Sequence, residues 1–323
     1  MKFKIIETLD IGTRLDVFVK SKSTFSRSEI QRKIQNELVL VNNIVQKNSY
    51  KLETGDEVEM LENFLYETKD DISSIKKYDI PLNIVFQDDD LIVINKPAGL
   101  TVHPGGGNKN ETLVNALVHH FSINQLSNHA GLDRLGIVHR LDKDTSGLMV
   151  IAKNNKTHAA LSEELKNKEN FYRQYLSLCY GVPVPTSGCI ERYMKKGSFA
   201  DGRMIICNEG DSNARYSKTN YEVVETFCNG GLSLIRCKLE TGRTHQIRLH
   251  LSDIKHSIVG DLTYTQHKII KFDEIIQTNI DLLNGQMLHA CSLSFTHPRT
   301  KKAMSFEAKL PDSIQALCRK LRK

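Results

Sequence analysis

Three strand-length runs, Arg173 to Tyr180, Asn220 to Val224 and Leu232 to Leu239, dominate the centre of this chain. Their β-branched and aromatic content favours sheet over helix. Leu288 to Phe295 and Ala303 to Ala308 read as further strands, and the apolar run Leu148 to Ala152 as a buried one. Helical patterns are fewer. One is capped by Thr112 and runs to Val118, one spans Asn155 to Lys168, and a terminal one opens at Pro311 with Ile314, Leu317, Cys318 and Leu321 on its buried stripe. Many strands and few helices, without regular alternation, make an α+β domain.

The texture changes along the chain. Residues 12–61 form a small α/β unit by pattern. Arg14-Leu-Asp-Val-Phe-Val19 opens an amphipathic stretch, and Ser26-Arg-Ser-Glu29 supplies a helix start with an acid three residues after the serine. In the helix that follows, Ile30 and Ile34 share one face, while Gln31, Arg32 and Lys33 lie on or beside the opposite one. Val39-Leu-Val-Asn-Asn43 reads as a strand and turn, and Leu52-Glu-Thr-Gly-Asp56 as a turn into Val58-Glu-Met60. Such a unit suits a phosphate backbone, with Arg14, Arg27, Arg32 and Lys33 as the candidate contacts. Residues 62–80 have mixed charge and no clear period and read as a linker. Residues 81–323 form the second domain, where Ile84-Val-Phe86 and Leu91-Ile-Val-Ile94 flank Gln87-Asp-Asp-Asp90 as strand, turn and strand.

A length of 323 residues accommodates one large and one small domain, and the net charge of +6 suggests an anionic partner. The seven cysteines are odd in number and include no Cys-x-x-Cys pair, so they read as reduced thiols of a cytoplasmic protein, with neither a disulfide framework nor a zinc site. The start, Met1-Lys-Phe-Lys-Ile-Ile-Glu, is unlike a signal peptide, and no apolar run approaches the ~20 residues of a membrane helix. A soluble protein is expected.

Chemistry concentrates in two segments. Gly136-Ile-Val-His-Arg-Leu-Asp142-Lys-Asp-Thr-Ser-Gly147 sets Asp142 beside His139 and Arg140, just before a tight turn at Thr145-Ser146-Gly147. Nearby cations favour the carboxylate form, as a carboxylate nucleophile requires. A turn-closing role for Asp142 fits the same residues equally well. In Leu239-Glu-Thr-Gly-Arg-Thr-His-Gln-Ile-Arg-Leu-His-Leu251, Thr244 can cap a helix with Gln246 and His250 on one face and Ile247 and Leu251 on a buried one. Arg243 and Arg248 then lie near the helix N-terminus, where the dipole favours anions. By itself this segment reads first as a basic amphipathic surface helix.

His139-Arg-Leu-Asp-Lys-Asp-Thr-Ser-Gly-Leu148 and Thr241-Gly-Arg-Thr-His-Gln-Ile-Arg248 resemble motifs of the RluA/RluD family of RNA pseudouridine synthases. Arg173-Gln-Tyr175, Asn95-Lys-Pro-Ala-Gly-Leu-Thr-Val-His-Pro104, Ile258-Val-Gly-Asp261 and Leu288-His-Ala extend the likeness over nearly all of residues 82–310. Residues 12–61 resemble the RNA-binding domain named for ribosomal protein S4, with Glu37 and Asn43 where that pattern has glycine. A positive-φ turn then falls to Asn43. The resemblance implies a mixed, largely antiparallel sheet in the catalytic domain, with Asp142, Tyr175 and Arg248 catalytic. Tyr175 would lie against the target uracil, and Arg248 would pair with Asp142. His139, Arg140, Arg243, His245 and Gln246 would bind substrate, Arg140 as a wedge in the vacated stack. The Asn95-Lys-Pro segment would be architectural. The partner implied is ribosomal RNA, with transfer RNA as an alternative target; no cofactor, metal or membrane is implied, and a monomer is expected. Two other classes fit less well: an RNA-binding assembly factor without turnover, and a carboxylate hydrolase, for which Asp144 would be the second acid. Arg173 and Ser177 replace a lysine and an alanine of the family pattern, and Tyr264 to Gln286 reads as a loop particular to this lineage.

Overall fold

The computed structural model describes residues 1–5, 10–23, 25, 27–61, 75–104, 110–199, 202–265, 272, 274–281, 283 and 285–322. The backbone forms two compact units, one of residues 1–80, 103–138 and 152–158, the other of 81–102, 139–151 and 159–323.

The first unit carries a four-stranded antiparallel sheet, β1 (Lys2–Lys4), β2 (Val39–Val41), β3 (Ile44–Val45) and β4 (Glu57–Met60), in the order β1-β4-β2-β3. Asn42 and Asn43, with φ of 53° and 64°, make the two-residue turn from β2 into β3. Left-handed backbone at both central positions matches the twist of a tight hairpin, and asparagine tolerates it. Glu37, the other glycine position, also has positive φ, 61°. The helices Leu15–Ser21 and Arg27–Gln35 pack Leu15, Phe18, Val19, Ile30 and Ile34 against Val39, Val41, Val58 and Met60. The serine read as opening the second of these helices, Ser26, lies outside the described residues.

The second unit is built on a mixed sheet of ten strands: β5 (Ile84–Gln87), β6 (Leu91–Lys96), β7 (Ser146–Ala152), β8 (Tyr172–Tyr180), β9 (Ser187–Lys196), β10 (Met204–Cys207), β11 (Arg215–Phe227), β12 (Leu232–Leu239), β13 (Leu288–Thr296) and β14 (Ala303–Glu307). Its order is β10-β9-β11-β12-β8-β13-β7-β6-β5, with β14 on β13. The pairs β10–β9, β9–β11, β11–β12, β12–β8, β8–β13, β13–β14 and β6–β5 are antiparallel, and β13 and β7 run parallel. An α+β fold with a largely antiparallel sheet is thus present. β9 and β10 went unread in the sequence, because only Ile190 and Met194 of β9 are buried and the strand lacks a β-branched run. In the first unit, Thr112 caps the helix Leu113–His120, with its hydroxyl and the Asn115 side chain answering each other's backbone. The terminal helix Asp312–Leu321 buries Ile314, Leu317, Cys318 and Leu321.

Four buried histidines brace the two units internally, His158 within the first and His139, His250 and His289 within the second. Ser127, Ser146 and Ser217 hydroxyls meet His158, His289 and His250 at 3.0, 2.8 and 2.8 Å, and His139 Nε2 accepts from the Val150 N–H at 3.1 Å. Burial lowers their pKa values from 6.5, to about 3 for His139, where Arg173 adds to the effect, and to about 4 for the other three. An imidazole neutral when folded takes up a proton on unfolding, so this stability is complete above pH ~6.5 and is lost as pH falls toward ~4. Each histidine should cost roughly 2 kcal/mol by pH ~5. Urea unfolding near pH 7.5 and near pH 5 should show a large drop in midpoint at the lower pH. An unchanged midpoint would mean that these imidazoles are charged in the fold.

Candidate active site

Asp142 begins a tight turn closed by the Thr145 N–H donating to the Asp142 carbonyl at 3.2 Å. The turn thus lies earlier than expected, because Ser146 and Gly147 are already strand, paired with His289 and Ala290 of β13. Gly147 has φ of 119°, and a Cβ there would stand 2.3 Å from the Ala290 oxygen. Only glycine permits that approach, and β7, buried along its whole length, fixes the turn. Lys96 secures the other side. Its buried ammonium donates to the Lys143 carbonyl at 2.9 Å and to those of Pro97 and Leu100 at 2.8 Å. Burial lowers its pKa to about 7, against the opposing charges of Asp144 and Asp142. The Asn95-Lys-Pro segment is therefore a clamp on the catalytic turn.

The facing wall is the helix Gln246–Asp253. Its cap is His245 rather than Thr244, with left-handed backbone at φ 55° and no side-chain cap bond. The departure follows from two anchors. Gln246 Oε1 accepts from the Thr241 hydroxyl at 2.7 Å and from the Arg243 N–H at 3.0 Å, while the His245 ring meets the Tyr264 hydroxyl at 2.9 Å. Arg248 sits in the first turn of this helix and makes a forked pair with Asp261, at 2.7 and 3.0 Å. It also donates to Thr263 Oγ1 at 3.0 Å and, through its remaining Nη1, to Asp142 Oδ2 at 3.1 Å. Its guanidinium lies 5.2 Å from the centre of the Tyr264 ring. Burial alone would lower its pKa, but the bonds to Asp261 and the charges of Asp261 and Asp142 outweigh burial and raise it. The second oxygen of Asp142 lies 3.9 Å from His245 Nε2.

Tyr175, on β8, is 4% exposed, and burial raises its phenol pKa, with Arg173 opposing and Asp142 adding. Asp142, Tyr175, Arg248, Arg140, His245 and Arg173 line one open cleft. The structure therefore brings the three expected catalytic residues together.

Other expectations need correction. His139 is buried, with Nε2 taken by the Val150 N–H and its ring edge-on to Phe171, so it braces the motif instead of facing substrate. Gln246 borders the cleft, but its amide also donates to the Lys218 carbonyl and the Thr219 hydroxyl, leaving it to hold the backbone. Arg140 and Arg243 are exposed at the rim, with Arg243 Nε donating to the Tyr216 carbonyl at 3.0 Å. In the first unit, Arg14 is committed to a two-bond pair with buried Asp16, and Lys33 is 5% exposed with its ammonium 4.4 Å from the Phe25 ring centre. Lys33 is therefore not on an open face. Arg32 is half-buried, and the Arg27 side chain lies outside what is described. Asp261, Thr263 and Tyr264 were missed as site residues. The Ile258-Val-Gly-Asp261 string was visible, but nothing in it pointed to Arg248. Beyond Tyr264, residues 266–271, 273, 282 and 284 of the proposed lineage loop lie outside the described residues, while Glu274–Asp281 is a helix.

Among the described residues, Asp88, Asp90 and His297 have the spacing of a metal site. His297 Nδ1 accepts the N–H groups of Arg299 and Thr300, which leaves the proton on Nε2 to donate to Asp88 at 2.8 Å. Both ring nitrogens are thus in use as a clasp between two turns.

A family model described as RNA pseudouridylate synthase matches residues 90–253, and one for the S4 domain matches residues 13–58. An uncharacterized RNA pseudouridine synthase of Bacillus subtilis, YlyB, is 36% identical over 96% of this chain and 94% of its own. The ribosomal large subunit pseudouridine synthase D of Zymomonas mobilis is 41% identical over 75% of this chain and 74% of its own. Among solved structures, human RNA pseudouridylate synthase domain containing 4 is similar at a TM-score of 0.56 and 25% identity, covering 74% of this chain and 93% of that one. The fold and the cleft define an enzyme that isomerises uridine in RNA. The chain belongs to the RNA pseudouridylate synthase family, with an S4 domain at its N-terminus.

The Arg248 fork makes a stability prediction. Arg248→Ala leaves Asp261 as a buried carboxylate without its cation and should cost about 3–5 kcal/mol. Arg248→Lys should recover little, because an ammonium cannot bond both Asp261 oxygens and still reach Asp142. Urea denaturation of the variants measures this, and a loss below about 1 kcal/mol for Arg248→Ala would show that the pair does not hold the helix to the Asp261 turn.

Proposed function

We propose that this enzyme converts specific uridines of large-subunit ribosomal RNA to pseudouridine, with Asp142, Tyr175 and Arg248 as its catalytic residues. The observation that carries the reading is the single hydrogen bond, 3.1 Å, that Arg248 gives Asp142 beside buried Tyr175. It leaves the other carboxylate oxygen toward the cleft. The ribosomal target is supported by relatives named for the large ribosomal subunit, among them those of Zymomonas mobilis and Vibrio parahaemolyticus. Asp142 acts at ribose carbon 1′ or uracil carbon 6, or assists elimination at the sugar. Tyr175 is the platform against the flipped base, and Arg140, exposed at the rim, is the wedge that fills its place. The cost of unstacking, a few kcal/mol, is met by contacts elsewhere on the RNA. Residues 12–61 supply part of that affinity, through Arg32 and with Arg27 alongside; 62–80 link them to the catalytic residues 81–323. The enzyme acts as a monomer in the cytoplasm, a reading supported by one chain's supplying all three catalytic side chains and by seven free thiols. No described helix is long and apolar enough to cross a membrane.

Asp142→Asn keeps the shape of the turn and removes the charge. The variant should fold, bind ribosomal RNA within about tenfold of wild type, a difference of about 1.4 kcal/mol, and form no detectable pseudouridine. Chemical mapping of pseudouridine after incubation with ribosomal RNA is the measurement, and near-normal product from the variant would sink the mechanism. Mapping ribosomal and transfer RNA from cells lacking the protein identifies the target class.

Affinity for RNA should fall log-linearly with salt, and Arg32→Gln should reduce that slope by about one. Filter binding over low to moderate salt reads the slope. A flat response in the wild-type protein would count against an RNA substrate.

A further inference from the structure

Arg173 lies two residues before Tyr175 on β8, so the two side chains leave the same face of the strand. It lines the cleft with Asp142 and Tyr175 and is 8% exposed. Its guanidinium lies flat against Gly242, where an added Cβ would come 2.8 Å from one terminal nitrogen and 3.2 Å from the other. Phe171 flanks it, its ring centre 6.0 Å from the guanidinium carbon. Glycine, an aromatic ring and a strand thus hold this cation in place. Yet no hydrogen bond or ion pair joins it to any described residue, and its Nε is buried without a partner.

Such a group is costly. A buried charge without a counter-ion or hydrogen bonds is disfavoured by several kcal/mol, and folded chains keep few of them. Arg248, in the same cleft, shows the ordinary solution, with bonds to Asp261, Thr263 and Asp142. A cation that is fixed in position and left without an anion is instead matched to negative charge that arrives with the substrate.

We propose that Arg173 is a further catalytic residue, whose guanidinium binds a carbonyl oxygen of the target uracil and stabilises the negative charge that develops there. This rests on the uridine-isomerising reading of the cleft. In the net reaction the bond from N1 to C1′ breaks with its electron pair going to the base. The bond from C5 to C1′ then forms, and the proton lost from C5 is balanced by one gained at N1. Departure of the base delocalises charge onto its two carbonyl oxygens. Addition of Asp142 at C6 instead pushes charge to the oxygen on C4. Each route loads a uracil oxygen, so the role of Arg173 does not depend on the route. A preorganised donor in a water-poor cleft is most effective where charge appears only in the transition state.

The test compares wild type, Arg173→Met and Arg173→Lys on a large-subunit ribosomal RNA transcript. Single-turnover pseudouridine formation, RNA affinity across a salt series and thermal unfolding are read for each. Arg173→Met should lose at least about 100-fold in rate, as when an oxyanion donor is removed. It should bind RNA within about threefold with an unchanged salt slope, and unfold at the same or a higher temperature because an unpaired buried charge is gone. Arg173→Lys should recover part of the rate. Turnover of Arg173→Met within tenfold of wild type overturns the proposal. So does a melting temperature lowered by several degrees in both variants, which would assign Arg173 to the fold. A salt slope reduced by about one in Arg173→Met would assign it to an RNA phosphate and overturn the uracil contact. A wild-type protein that forms no pseudouridine in ribosomal or transfer RNA overturns the function reading and this proposal with it, whereas an active wild type beside an active Arg173→Met overturns this proposal alone.

Discussion

The Arg248 guanidinium spends two of its bonds on Asp261 and one on Asp142, and that division organises the site. Asp261 is 1% exposed and also accepts the N–H groups of Thr263 and Tyr264. Its carboxylate therefore shapes its own loop and fixes the arginine before any substrate is present. What reaches Asp142 is one hydrogen bond from a donor that cannot turn. A forked pair used wholly on Asp142 would have occupied both of its oxygens. Aim without occlusion requires a second, buried carboxylate, and Asp261 is that carboxylate.

Rigidity on the other side of Asp142 has a different source. The turn that carries it is fixed by strand pairing, with Gly147 allowing β7 to approach β13 closely, and by the Lys96 ammonium on the Lys143 carbonyl. The two walls thus hold the Asp142 carboxylate by independent means, an ion pair from the helix and backbone geometry from the strand. The Tyr264 hydroxyl ties them to a third element, accepting from the Met204 N–H of β10 at 2.9 Å and meeting the His245 ring. Burial raises the phenol's pKa to about 12, so that it works as a neutral hydrogen-bonding post.

How much of this was legible follows from what a sequence encodes locally. The stripe of the terminal helix was readable because its periodicity is its burial pattern, and Leu232–Leu239 because its length and residue content favour sheet. The three-residue β1 and the half-exposed β9 carry no such signature, since their pairing is imposed from distant strands. At the site, Asp142 and the arginine that bonds it were legible through contiguous motifs. Their geometry was not. Thr244 looks like a helix cap, yet the αL backbone at His245 takes that position because Gln246 and Tyr264 pull the chain elsewhere. His139 and Gln246 look like substrate ligands by residue type. Only the structure shows His139 Nε2 already answered by Val150, and the Gln246 amide by Thr241, Arg243, Lys218 and Thr219. A sequence names donors and acceptors, whereas function depends on which of them the fold leaves unanswered.

By that criterion the cleft separates its two buried arginines. Arg248 is satisfied in the free enzyme, and its role is geometric. Arg173 is held by packing alone, at a cost in stability that the surrounding framework of paired strands and braced histidines can bear. The order matters physically. If Arg173 had an internal carboxylate partner, substrate would have to displace it, and the gain on charge development would be offset by the bond lost. If Arg248 lacked Asp261, it would turn to whichever anion entered, and Asp142 would lose its aim. On the proposed reading, fixing one cation fully and leaving the other without an anion lets a single cleft both hold Asp142 in place and receive the charge that the reaction creates.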